Sequence, residues 1–418
     1  MVDRRTTLIV LAVVAVFVVG GATMYAGVPA GTFLRSADRS TTTEPPRPDR
    51  TTGSSTSTSS SSTTTSTAPT TTTTTQLPPL LPDGTVGDGR PPQFVTVSFD
   101  GAGNLDLMDH WLGVAERGHA RFSFFLTGTY LLDDAHRSRY VGPHQAPGAS
   151  SVGFAPVPAG MTSESYLGSL VRRLEVARYV GHEVGTHFNG HFCQSVPGSV
   201  GTWSAADWAS ELDQFDGFAA NVSANNELAT PIGTPLPPGG AVGGRTPCLE
   251  GNMDALYPVL ARRGFRYDAS RTGKAGQWPR KHLGLWSMTL DSIPIAGTDR
   301  HNLSMDYNLY YVYAGAKEDV DPQRSAEISE LSYRTYVDYF ERSYHGNRAP
   351  IDLGNHFERW NHSAYSDALE RFVLEECVKP EVRCVPYRDL TDWLDARSPG
   401  QLASFEAGTF PHLERPPG

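Results

Sequence analysis

The sequence predicts an α/β fold on a parallel sheet, open or closed into a barrel, and three observations lead there. Strand-like and helix-like patterns alternate from residue 93 to the C-terminus, as expected for parallel strands joined by helical crossovers. Four residues with chemistry to offer, Asp100, His187, Asp268 and His356, fall at or near the ends of strand-like runs, where such sheets carry their sites. Before residue 91 the composition cannot support a packed core, which leaves one globular domain over 91–418.

Phe94–Phe99 reads as a strand ending in Asp100. Leu107, Trp111, Leu112 and Ala115 share one helical face, and Phe122–Leu126 is the next strand. Tyr166, Leu167, Leu170, Leu174 and Ala177 make a second amphipathic helix, which leads into a strand over His182–His187. Ser204 and Asp207 suit a capping box at the head of a helix bearing Trp208, Leu212 and Phe215. Leu256, Val259 and Leu260 precede a Phe265–Asp268 strand. Tyr336 and Tyr339 lie on a helix before the Pro350–Leu353 strand, and Tyr365, Leu369, Phe372 and Val373 on one after it. The Gly- and Pro-rich stretch Pro231–Gly244 reads as a loop near the site. There is no internal repeat, and Gly101-Ala-Gly103 lacks the Lys-Ser/Thr of a phosphate-binding loop.

The N-terminal part divides in two. Leu8 to about Tyr25 is almost wholly apolar behind Arg4 and Arg5, the layout of a signal anchor or signal peptide, assigned to 1–35. Residues 36–90, dominated by Thr, Ser and Pro, read as a disordered stalk or linker. This layout places the domain at the cell surface, anchored to the membrane through the N-terminal helix, or secreted. Four cysteines in an exported chain permit disulfides. Cys377 and Cys384 can close a small loop, and a Cys193–Cys248 bridge would tie together the segments around His191 and Arg245. A formal net charge of -10 over 418 residues disfavours nucleic acid as a partner, and a monomer is expected.

His187-Phe188-Asn189-Gly190-His191 carries the chemistry. Two imidazoles four residues apart can converge on one divalent metal ion, and neutral imidazole is a common ligand for zinc. Asp100 upstream, then Arg245-Thr-Pro247-Cys248, Tyr267-Asp268-Ala-Ser270 and Leu353-Gly-Asn-His356 downstream, follow in order.

This ordered set resembles the polysaccharide deacetylases, carbohydrate esterase family 4, whose five motifs are Thr-Phe-Asp-Asp-Gly, His-Ser/Thr-x-x-His, Arg-x-Pro-Tyr/Trp, an Asp, and Leu-x-His. The resemblance spans roughly residues 92–396. It implies a distorted (β/α) barrel, a divalent metal cofactor, usually Zn2+, and removal of acetyl groups from a polysaccharide such as peptidoglycan or chitin. Carried over residue by residue, it makes His187 and His191 metal ligands, Asp100 the general base, His356 the acid that protonates the leaving nitrogen, and Arg245, held by Asp268, the residue that orients the base. Pro247 and Trp286 would contribute to substrate binding, Trp286 in an acetyl pocket.

The chain departs from the pattern at three places. Gly101 stands where the family has its second Asp, normally the third metal ligand, so Asp100 is assigned to the metal as well, with Asn104, Asp106 or a water as other candidates. Phe188 replaces Ser or Thr, and two residues rather than one separate Leu353 from His356. Two further readings stay open: a non-catalytic surface glycan-binding protein that has lost the third ligand, and an O-acetyl esterase on an acetylated polymer.

Overall fold

The computed structural model describes residues 77–194 and 198–413. The expected apolar segment and most of the expected stalk lie outside them, and among the described residues no helix is long and apolar enough to cross a membrane. The expected boundary at 90/91 falls inside packed structure. Trp393 Nε1 donates to the Gly84 carbonyl at 2.9 Å, and buried Arg90 bonds Glu381 at 2.8 Å. Both contacts join residues 84 and 90 to the C-terminal part.

The fold is α/β with a parallel sheet. Five strands, β1 (Gln93–Asp100), β2 (Ser123–Leu126), β3 (Glu183–Thr186), β8 (Ile351–His356) and β9 (Val382–Cys384), form one all-parallel sheet in the order β3-β2-β1-β8. β9 pairs with β1 over Gln93–Val95. Every residue of β1 to β3 is buried, as expected when helices cover both faces of a parallel sheet. A second, mixed sheet contains β4 (Tyr267–Lys274), β5 (Arg280–His282), β6 (Leu285–Pro294) and β7 (His301–Leu303), with β4 and β6 parallel.

Backbone hydrogen bonds connect the two sheets at both edges. Gly244 bridges to Thr186 at the end of β3, and its carbonyl accepts from Ala269 on β4 at 2.9 Å. A side chain at Gly244 would collide with the Thr186 carbonyl oxygen, so glycine is required for this approach. At the other edge the Gly354 amide on β8 donates to Ser304, whose amide donates to Asp291 on β6, each at 2.9 Å.

The longer helices are α1 (Leu105–Arg117), α2 (Ser163–Tyr179), α3 (Ala205–Ala220), α4 (Met253–Arg262), α5 (Asp306–Ala314), α6 (Pro322–Tyr344), α7 (Trp360–Glu376), α8 (Tyr387–Asp395) and α9 (Pro399–Glu406). Asn104 caps α1 and the reciprocal Ser204–Asp207 capping box opens α3, each satisfying amides that the helix leaves without partners. The main core packs Phe99, Trp111, Phe122 and Phe124 against α1, α2, α6 and α7 side chains including Leu170, Tyr336 and Phe372. A second core gathers Tyr267, Trp278, Trp286 and Trp393. Both disulfides have the expected pairing, Cys193–Cys248 and Cys377–Cys384.

Candidate active site

The strand register brings the polar residues to one end of the parallel sheet. Asp100, the last residue of β1, is the direct cross-strand partner of His356, the last residue of β8, and of Phe125 on the other side. His187 follows β3 at once and its amide donates to Leu126 of β2 at 2.8 Å. Phe188 and His191 then adopt left-handed φ of 58° and 55°. The spacing of four therefore comes from a tight loop rather than a helical turn, and non-glycine residues hold such angles only when their surroundings impose them.

Glu211 on α3 supplies that constraint. It is fully buried and accepts from the Asn189 amide at 2.9 Å and from the Tyr140 hydroxyl, while its own carbonyl accepts from Asn189 Nδ2 at 2.8 Å. Burial pushes its carboxyl up to about 7. The loop sets the two imidazoles with ring centres 5.1 Å apart.

Arg245 occupies the centre. Its side chain has no exposure to solvent and its five nitrogen–hydrogen bonds go to built-in acceptors. Nη1 donates to Asp100 at 3.0 Å and to Ser98 at 2.9 Å, Nη2 to Tyr387 at 3.0 Å and Asp352 at 3.4 Å, and Nε to the Ala269 carbonyl at 3.0 Å. Its backbone carbonyl lies 2.8 Å from His187 Nδ1. Because a carbonyl can only accept, Nδ1 carries the proton and Nε2 keeps the lone pair that a metal would use. One residue thus orients both the carboxylate and the first imidazole.

The partner expected for Arg245 is corrected. Asp268 accepts from Tyr257 at 2.8 Å and from Ser270 at 2.6 Å, and Ser270 in turn accepts from the Thr246 amide. Asp268 therefore props up the Thr246-Pro247 turn from behind, and Asp352 on β8 takes its place in the ion pair. Burial works against the charge of Asp352 and raises its carboxyl to about 7 despite Arg245. Burial also opposes ionisation of Asp100, but the charge of Arg245, with help from the imidazolium of His356, outweighs it and holds that carboxyl below its ordinary value. Trp286 is also relocated: it packs in the second core, its indole donates to Asp395 at 2.8 Å, and Lys281 covers its ring. No contact among the described residues joins it to Asp100 or the imidazoles, and buried Pro247 begins a short 3-10 turn beside the Cys193–Cys248 bridge.

His356 is the charged imidazole of the group. Asp306, the first residue of α5, accepts from its amide at 2.7 Å and from Nδ1 at 2.8 Å. Burial would lower its pKa, yet Asp306 and then Asp100 raise it to about 9, which makes it an imidazolium at neutral pH with Nε2–H unclaimed by Asp306. His191 moves the other way. Burial and the neighbouring His187 and His356 bring it down to about 3, and burial likewise lowers His187. The paired imidazoles are neutral, the form that ligates metal.

Two neutral imidazoles therefore suit a divalent ion. His187, His191 and Asp100 do not bring their ligand atoms within 4.8 Å of one another; among the described residues the trio that does is His191, Cys193 and Cys248, whose sulfurs are joined in a disulfide. Asp100, expected to double as a ligand, gives Oδ1 to Arg245. Gly101 turns away at φ 72°. Sequence reasoning missed Asp306, Asp352, Tyr387 and Glu211. Each is distant in sequence from the residue it serves; strand order brings Asp352 beside β1, and helix packing brings in the other three.

No protein-family model and no curated protein matches the chain. In fold it is similar to a solved protein assigned as a polysaccharide deacetylase from Mycobacterium smegmatis, at 14% identity over 82% of this chain and 98% of that one, with a TM-score of 0.45. It is also similar to a mutant form of the peptidoglycan deacetylase PdaC of Bacillus subtilis (12%, 75% and 96%, TM-score 0.36). A third likeness is to a family 4 pseudoenzyme from Bacillus anthracis (10%, 72% and 66%, TM-score 0.35). The chain resembles the polysaccharide deacetylases.

Proposed function

We propose that the domain, a distorted (β/α) barrel closed through Gly244 and Ser304, hydrolyses acetyl amides on an extracellular polysaccharide such as peptidoglycan or chitin. The observation that carries this reading is the cross-strand pairing of Asp100 with His356, each held by its own counter-charge, Arg245 for one and Asp306 for the other. Amide hydrolysis needs a base for the attacking water and an acid for the leaving amine. Asp100, ionised, accepts the proton of the attacking water. His356, charged and oriented through Nδ1, donates from Nε2 to the departing nitrogen. Arg245 keeps Asp100 charged and fixes His187, and Asp306 keeps His356 charged. A divalent cation, Zn2+ being the usual choice for two imidazoles, would be held by Nε2 of His187 together with His191, with its remaining positions left to water or substrate. When bound it would polarise the acetyl carbonyl and lower the pKa of water from about 15.7 towards about 7.

Gly101 favours a second reading, a surface glycan-binding protein that keeps the cleft without turnover. Acetate release from acetylated glycan oligomers, with and without a chelator, separates the two. The proposal predicts chelator-sensitive release. Stoichiometric binding of glycan with no acetate formed establishes the second reading. The apolar N-terminal segment, by its composition, would place this activity at the cell surface or outside it.

A further inference from the structure

Beside His356 stand aromatic side chains that the hydrolytic scheme does not use. The ring of Tyr307, next to Asp306, is centred 6.2 Å from His356, and that of Trp360 is 5.7 Å away. Trp360 stacks on buried Tyr310 at 4.5 Å and 11°, and Tyr307 meets it edge-on at 5.9 Å. Tyr310 thus fixes Trp360 from one side. Tyr307 stays 43% exposed on the first turn of α5. Such rigid, partly exposed rings beside a reactive group suit a flat ligand with one apolar face. A pyranose ring is such a ligand, and in a glycan chain the sugar beside the reacting one must lie near His356.

The rim of this platform is acidic. Glu318 and Glu358 are exposed. Glu358 lies between His356 and Trp360 in the chain, and the Asn361 amide, next to Trp360, donates to the Glu318 carbonyl at 2.8 Å. Both carboxylates also raise the Tyr310 hydroxyl, which stands at about 12 with burial as the main cause. Glu358 also raises Tyr130, whose ring lies 3.8 Å from the position a side chain would take at Gly101. Its charge therefore reaches from the platform to the loop after β1. Arg359 acts on Asp367 of α7 instead.

Taking the deacetylase reading as its starting point, we propose that Tyr307 and Trp360 form a stacking subsite for the sugar next to the one that loses its acetyl group. Glu318 and Glu358 at its rim select a neutral or amine-bearing ring over one carrying a carboxylate. Partly deacetylated stretches, whose amines are cationic, are then admitted beside the reacting sugar, and uronic acid residues are not.

Calorimetric titration of the whole chain tests this with three probes: a tetramer of N-acetylglucosamine, its fully deacetylated counterpart, and a tetramer of galacturonic acid. The wild type should bind the first two and reject the third. Tyr307→Ala should weaken binding of the first by roughly tenfold, the scale of one aromatic contact. Glu358→Gln should narrow the preference for the amine tetramer over the galacturonate tetramer, a ratio that a merely structural role would not move. Unchanged affinity in Tyr307→Ala, no binding of the first two tetramers by the wild type, or a preference for the galacturonate tetramer overturns the subsite. Binding is read apart from turnover, so the two ideas fail separately. A protein that binds as described and releases no acetate removes the deacetylase reading and leaves the subsite. An active enzyme whose binding ignores Tyr307 does the reverse.

Discussion

The two halves of the cleft are built on different terms. On the β1–β8 side every charge has a partner within the fold: Asp100 has Arg245, His356 has Asp306, and Arg245 is shared with Asp352. On the β3 side two neutral imidazoles face each other, and Gly101 leaves them short of a third protein ligand. Proton-transfer groups must hold their charge before substrate arrives, because their pKa values decide whether they can act. A metal-binding pair instead gains from staying uncharged. On the proposed reading, the fold prearranges its acid–base pair more completely than its cation site.

Arg245→Met should separate the halves most severely. It strands the fully buried Asp100 and Asp352 without a counter-charge, and the loss should be about 3–5 kcal/mol in denaturant unfolding. If the variant retains wild-type stability, the ion-paired side is not the rigid half. Opening Cys193–Cys248, which spans 55 residues and fastens the imidazole loop to the Arg245 turn, should cost about 4 kcal/mol on loop entropy, against about 2 kcal/mol for the seven-residue Cys377–Cys384 loop. Serine variants of each pair in thermal unfolding give the comparison, and equal losses would show that the imidazole loop needs no tether.

Asp306→Asn should show chiefly in the pH dependence. The His356 pKa is raised to about 9, so the acid is competent below that pH and lost above it, and the variant's alkaline rate limb should move down towards the ordinary imidazole value. Stability follows the same sign. The His356–Asp306 contribution is fully present below the unfolded imidazole pKa, about 6.5, and fades as pH rises through about 9. An alkaline limb that stays in place would remove Asp306 from the acid. Gly101→Asp has the smallest expected effect. The position is open, with Tyr130 no nearer than 3.8 Å, but its φ of 72° should cost about 1 kcal/mol. Zinc affinity by competition with a chelator should rise by about tenfold or more, worth about 1.4 kcal/mol. No gain would mean that the imidazole half lacks something other than a carboxylate.

Much of this was legible in the sequence because it was local. β1, β2, β3, β8 and the helices packed on them follow from alternating periodicities, the Ser204–Asp207 box from its spacing, and Asp100, His187, His191 and His356 from their places after strand-like runs. β5, β7 and β9 were not, since three-residue strands carry no readable period. The pairing of Arg245 with Asp268 rested on motif order alone. Strand order overrode it, because β8 lies beside β1 and presents Asp352, while Asp268 on β4 turns to Tyr257 and Ser270. Trp286 was misplaced for the same reason, since nothing in the order of motifs distinguishes a core tryptophan from one in a cleft.

The division of charge between the halves is most directly tested by nitrogen NMR of the imidazoles at pH 7, with resonances assigned through His187→Gln, His191→Gln and His356→Gln. The account predicts His356 protonated on both nitrogens, and His187 and His191 neutral with the His187 proton on Nδ1. A neutral His356 beside a protonated His187 or His191 would contradict it.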